Sequence, residues 1–102
     1  MTTTALTTRQ KVDRNLEFYA RDLTTREFTG TAAWVLGIEI KAIADSYDIS
    51  ELTAEFLENE LKLRKSHYYL DNHNWSDFAR GIANTSIQII EMLSARKERV
   101  GA

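Results

Sequence analysis

Neither cysteine nor proline occurs in the 102 residues, and each absence excludes something. Without cysteine there are no disulfides, thiolate metal sites or thiol nucleophiles, a composition that suits a reducing cytosol. Without proline nothing breaks a long helix from within. Glycine is scarce, with four residues isolated at positions 30, 37, 81 and 101, so a glycine-rich phosphate loop is excluded. Apolar runs are short: the longest, Thr31 to Ile38, falls far below the ~20 residues of a membrane span. A dominant charge is missing too, because a net charge of −2 and an isoelectric point near 5.7 give no global attraction to nucleic acid or to an acidic membrane. The first eight residues hold five threonines and no apolar run, unlike a signal or transit peptide. The expectation is a cytoplasmic protein with no membrane partner, a frayed segment over residues 1–7 and a single helical domain over 8–100.

What is present is helical periodicity. Thr7 with Gln10 and Thr24 with Glu27 have the spacing of capping boxes, in which the threonine oxygen accepts from the third backbone N–H and the third side chain reaches back. Ser50, and Asn74 with Asp77 after it, supply two further N-caps. These starts predict an all-α, four-helix, bundle-like domain with helices near 8–22, 25–47, 51–70 and 75–99. The short connections around residues 23–24, 48–49 and 71–73 set consecutive helices side by side and antiparallel.

At about 100° per residue, Val12, Leu16, Tyr19 and Leu23 form one narrow stripe on the first helix. Trp75, Phe78, Ile82, Ile89, Leu93 and Val100 do the same on the fourth, which reads as a surface helix. In the second, apolar residues from Phe28 to Tyr47 surround most of the circumference, the pattern of an enclosed, central helix. Trp34 lies beside Lys41, opposite Leu36 and Ile43, where a monomer presents polar residues. The third helix carries two stripes: Leu52, Phe56, Leu63 and Leu70 on one side, Leu57, Leu61 and Tyr68 on the other. One faces the helix's own core; a bare second one is an apolar patch of the kind that marks an interaction surface.

Charge runs unevenly, +2 over residues 1–26, −7 over 27–60 and +3 over 61–102. Glu51 and Glu55 near the start of the third helix and Lys62, Arg64 and Lys65 near its end suit the macrodipole, and Glu58–Lys62 and Glu60–Arg64 fall at i,i+4. Glu39 is the one charge in an apolar sector: a candidate buried polar group that contacts a ligand, or that pairs with a base from another helix. His67 and His73 flank a turn rich in aromatic and Asx residues, but neither has the Glu-x-x-His spacing of metal-binding bundles. Turn packing therefore outranks a metal site, and no cofactor is expected. Glu55 and Glu58 form one Glu-x-x-Glu, half of the pattern that helical nucleotide pyrophosphohydrolases use to hold Mg²⁺, so a small metal-dependent hydrolase stands as a remote alternative.

Residues 43–57 carry a closer likeness. Ile43-Ala44, then Tyr47-Asp48-Ile49-Ser50, then Thr53, Ala54 and Leu57 resemble a helix-turn-helix, which implies DNA binding with Ser50 capping the recognition helix. The departures are Asp48, where glycine is usual, and Ala54, where a larger apolar residue is usual. The recognition helix would also offer Glu51, Glu55 and Glu58 to the phosphates, which disfavours nucleic acid as a partner. The leading expectation is a non-catalytic protein–protein interaction module: an adaptor, regulator or assembly subunit that binds another protein or itself as a homodimer. Its expected interface comprises Trp34, Leu57, Leu61, Lys62, Arg64, Lys65, Tyr68 and Tyr69.

Overall fold

The computed structural model describes residues 6–71 and 74–100; the expected frayed segment falls largely outside these, as does His73. They form four α-helices and no strand: α1 (Thr8–Phe28), α2 (Ala33–Ser46), α3 (Ala54–Asp71) and α4 (Asp77–Arg99), with a 3-10 turn at Ile49–Glu51. The all-α four-helix expectation holds, while several boundaries move for identifiable reasons.

Thr7 caps α1 as expected, its hydroxyl accepting from Gln10 N at 3.2 Å while Gln10 Oε1 accepts from Thr7 N at 2.9 Å. Thr24, the second expected start, is instead inside α1 and fully buried, its hydroxyl donating to Ala20 O at 2.7 Å. Capping spacing alone does not distinguish a cap from a threonine that bonds back one turn. The helix ends at Thr29–Gly30: Gly30 N–H donates to Glu27 O and Thr31 N–H to Arg26 O, with Gly30 at φ 103°. This is a Schellman motif, and its left-handed residue is what requires glycine.

α3 also starts late, at Ala54 rather than 51. Asp48, not Ser50, is the acceptor at the 3-10 turn, and Thr53 caps α3 through Phe56 N at 3.0 Å. Glu51 is drawn off to accept from Thr8 N and Thr8 Oγ1 at the start of α1. Ser76 rather than Asn74 caps α4, accepting from Ala79 N at 3.1 Å.

The central helix is α4, not α2. α1, α2 and α3 each pack chiefly on α4, and α2 and α3 barely meet each other. Phe28 meets Phe78 edge to face at 5.5 Å, so the end of α1 lies beside the start of α4 and the two run antiparallel. Tyr68 near the end of α3 meets Trp75 just before α4, and Ala54 and Leu57 at its start line one cavity with Ser94 and Lys97, so α3 is also antiparallel to α4, whereas Arg96 at the end of α2 makes α2 and α4 parallel. Thr85, Ser86, Ile87, Ile89, Ile90 and Leu93 are buried. Together they cover roughly 200° of α4 at helical spacing. Thr85 and Ser86 disguised this width, because short hydroxyl side chains pack inside a helix bundle yet count as polar in a pattern.

Small residues set the α1–α4 distance. A Cβ at position 81 would lie 2.7 Å from Thr24 Cγ2, and the Thr24 bond to Ala20 O fixes that methyl in place. Gly81→Ala is therefore expected to destabilise by about 1–2 kcal/mol, although alanine is favoured by ~1 kcal/mol on helix propensity alone. Thr24→Ser in the same chain should restore most of the loss. A double-mutant cycle by urea denaturation checks this; additive effects would mean that the two residues do not constrain each other.

Tyr47 is buried with Ala44, Leu52 and Leu36 in the core, and its hydroxyl finds no hydrogen-bond partner among the described residues. Burial pushes its pKa up to about 12, with Tyr19 adding to the shift and Arg64 opposing it. The unfolded chain ionises this tyrosine near pH 10, so the stability it contributes is complete below pH 10 and lost as pH rises toward 12. The loss approaches about 2–3 kcal/mol. Tyr47→Phe should be at least as stable as wild type at pH 8 and should decline less between pH 10 and 11.5. Parallel decline of both proteins in urea titrations would overturn this assignment.

Candidate interaction surfaces

α3 keeps its two stripes, but their roles are exchanged relative to expectation. Leu57 is buried at 1% exposure and Leu61 packs partly buried against the core, with Tyr68 half-buried on the same side. Leu57 and Leu61 are thus core residues, which corrects their assignment to an interface. The outward residues belong to the other stripe, Leu63 at 55% and Leu70 at 72% exposure, although its first member, Leu52, is fully buried in the core. Phe56 links the two, half-buried against the core and covered by the Arg9 guanidinium at 5.2 Å. Sequence periodicity finds both stripes and has no means of ranking them; that choice is made by where α4 lies.

The basic residues at the end of α3 are each matched by an acid. Lys62 Nζ lies 3.3 Å from Glu58, Arg64 Nε 3.3 Å from Glu60 and Lys65 Nζ 4.0 Å from Glu91. They support the helix and its packing on α4 rather than standing as an open cationic patch. Burial raises the Glu60 pKa, reinforced by a hydrogen bond with Asp13 of α1 and opposed by Arg64, so α1 and α3 meet here across a carboxyl pair.

After the stripe comes an aromatic cluster. Tyr68 meets Tyr69 at 5.1 Å and Trp75 at 6.5 Å, both edge to face, and Tyr69 is 69% exposed. Beside it a cleft of about 370 Å³ opens between α1 and α3, walled by Arg21, Arg64, His67 and Trp75 and floored by Ala79 and Ala83 of α4. Small side chains on α4 leave this gap. Its arginines face Glu17 at 3.8 Å and Glu60 at 3.3 Å, so its charge is largely balanced.

Trp34 is exposed on α2 as its wheel position suggested, at 71%. Ile38, one turn on, is exposed at 61%, a residue the wheel had grouped with the enclosed face. Glu39 is half-buried and paired with Arg26 of α1, so of its two readings the structure displays the ion pair between helices.

In a helix-turn-helix the two helices pack on each other; here the ends of residues 43–57 pack separately on α4, and Glu51, Glu55 and Glu58 are all exposed. Among the described residues no group of three His, Asp or Glu side chains converges to hold a metal ion, and no described helix is long and apolar enough to cross a membrane. Neither a protein-family model, nor a curated protein, nor a solved structure matches the chain.

Proposed function

We propose that this chain is a non-catalytic helical interaction module, an adaptor or assembly subunit of the cytosol, that binds another protein along the outward face of α3. The observation that carries the reading is the line Phe56, Leu63 and Leu70, whose last two members are more than half exposed. Three apolar residues seven apart have the spacing with which one helix meets another in a coiled coil, and they continue into exposed Tyr69. Burying a leucine side chain contributes about 1.5–3 kcal/mol, so a partner helix seated on this line gains enough from Leu63, Leu70 and Tyr69 to hold it.

Leu63→Glu/Leu70→Glu is the test, because both sites are exposed and the change should shift unfolding free energy by less than about 1 kcal/mol. A photo-crosslinker at Ser66 in the source-cell extract should trap a defined partner with the wild-type stripe and lose it with the double variant. Identical adducts from both proteins would overturn the proposal.

A further inference from the structure

We infer that the cleft between α1 and α3 binds a small aromatic carboxylate, its ring against Trp75 and the floor of α4 and its carboxylate on Arg64. Helical spacing makes the floor: Ala79, Ala83 and Ser86 recur at i, i+4 and i+7 on one face of α4, and side chains this short leave the space between the flanking helices unfilled. The floor offers little polarity, because the Ser86 hydroxyl is already donating to Ile82 O at 3.0 Å. Trp75 supplies an aromatic wall, half-buried and met edge to face by Tyr68 at 6.5 Å, and a ring can pack on it. At about 370 Å³ the cleft lies near the lower end of small-molecule sites, which span about 300–1,000 Å³, so it suits a compact ring system rather than a long chain.

Arg64 identifies the polar end of the ligand. Its side chain is only 22% exposed, yet among the described residues its guanidinium donates to one acceptor, through Nε to Glu60 Oε2 at 3.3 Å. A guanidinium carries five N–H donors, so those on Nη1 and Nη2 bond to no described residue. Arg64 walls the cleft and Glu60 does not, which leaves the end-on edge of the fork available to the cleft. That edge matches the two oxygens of a carboxylate. Glu60 holds the fork from its side and is itself engaged with Asp13 of α1, so it positions Arg64 without occupying the open edge. On the opposite wall Arg21 stands 3.8 Å from Glu17, beyond hydrogen-bonding reach. Charges that nearly cancel over the whole neighbourhood thus leave a local excess of donors inside the cleft, where one negative charge fits. Leu63 and Leu70 take no part in its walls, so failure of this site would not affect the reading of the outer face of α3.

Amide NMR titrations of the intact chain test this with 2-naphthoate, its neutral isostere 2-naphthamide, and acetate. 2-Naphthoate should bind saturably with a dissociation constant of about 1 mM or tighter, moving the Trp75 indole N–H and the amides of Ala79 and Ala83. 2-Naphthamide should bind at least tenfold more weakly, and acetate, which lacks the ring, should leave these signals in place. Arg64→Gln should weaken 2-naphthoate at least tenfold and 2-naphthamide much less, a split that a loosened fold would not produce. Ala83→Leu, which fills the cleft from its half-exposed floor, should remove both ligands with helicity unchanged. The end of a peptide chain offers the same chemistry, and N-acetyl-Ala-Ala-Phe should bind more weakly than 2-naphthoate. The inference would be overturned by the lack of any saturable shift up to about 10 mM 2-naphthoate, by equal loss of acid and amide in Arg64→Gln, by unchanged binding in Ala83→Leu, or by a preference for the peptide.

Discussion

Leu57→Glu should fail to give a folded protein, and Leu57→Ala should lose about 3–5 kcal/mol in urea denaturation, a large share of what a domain of this size has. Leu57 is buried in the same core cluster as Leu52, Leu93 and Ile90, and a carboxylate placed there would be desolvated or would expel the helix. Two turns along, Leu63→Glu should leave far-UV circular dichroism and the unfolding midpoint nearly unchanged. The pair separates the two stripes of α3 by measurement: one leucine is needed for the fold, the other is available to a partner. A folded Leu57→Glu with a normal midpoint would mean that α3 is rotated by about half a turn relative to its place here.

That rotation marks the boundary of what the sequence discloses. Periodicity, caps and the lack of breakers establish four helices, because these are local properties and each helix writes them into its own residues. The arrangement of those helices is not local. α2 looks enclosed on the wheel since Val35, Ile38 and Ile43 are apolar as well as Leu36 and Ile40, yet its buried residues are confined to Leu36, Ile40 and Ala44, Val35 and Ile43 are half-buried, and Ile38 faces outward. α4 looks like a surface helix because its interior includes Thr85 and Ser86. Both misreadings come from treating apolarity as burial, a rule that holds in one direction only. The surface candidates fared by the same logic: Trp34 and Tyr69 are exposed as their positions implied, Leu57 and Leu61 are not, and Leu63, Leu70 and Ile38 come to light only once the position of α4 is known.

Arg96→Ala should loosen α2 selectively and cost about 2–4 kcal/mol. Arg96 Nη1 donates to Ala44 O at 2.6 Å and to Tyr47 O at 3.0 Å, and its Nε lies 3.7 Å from Asp45. The final carbonyls of a helix have no partner within it, and α2 has no basic residue of its own in its last turn. The guanidinium from α4 meets both needs, bonding the carbonyls and placing positive charge at the negative end of the α2 dipole. Because α2 touches α1 little and α3 hardly at all, this contact and the packing of Leu36, Ile40 and Ala44 are what hold it on α4. Hydrogen exchange should therefore show α2 amides losing protection in Arg96→Ala while the amides of α1 and α3 keep most of theirs, with Arg96→Lys intermediate, since lysine keeps the charge but not the fork. Uniform loss of protection across all four helices would show that α2 is not a separable unit.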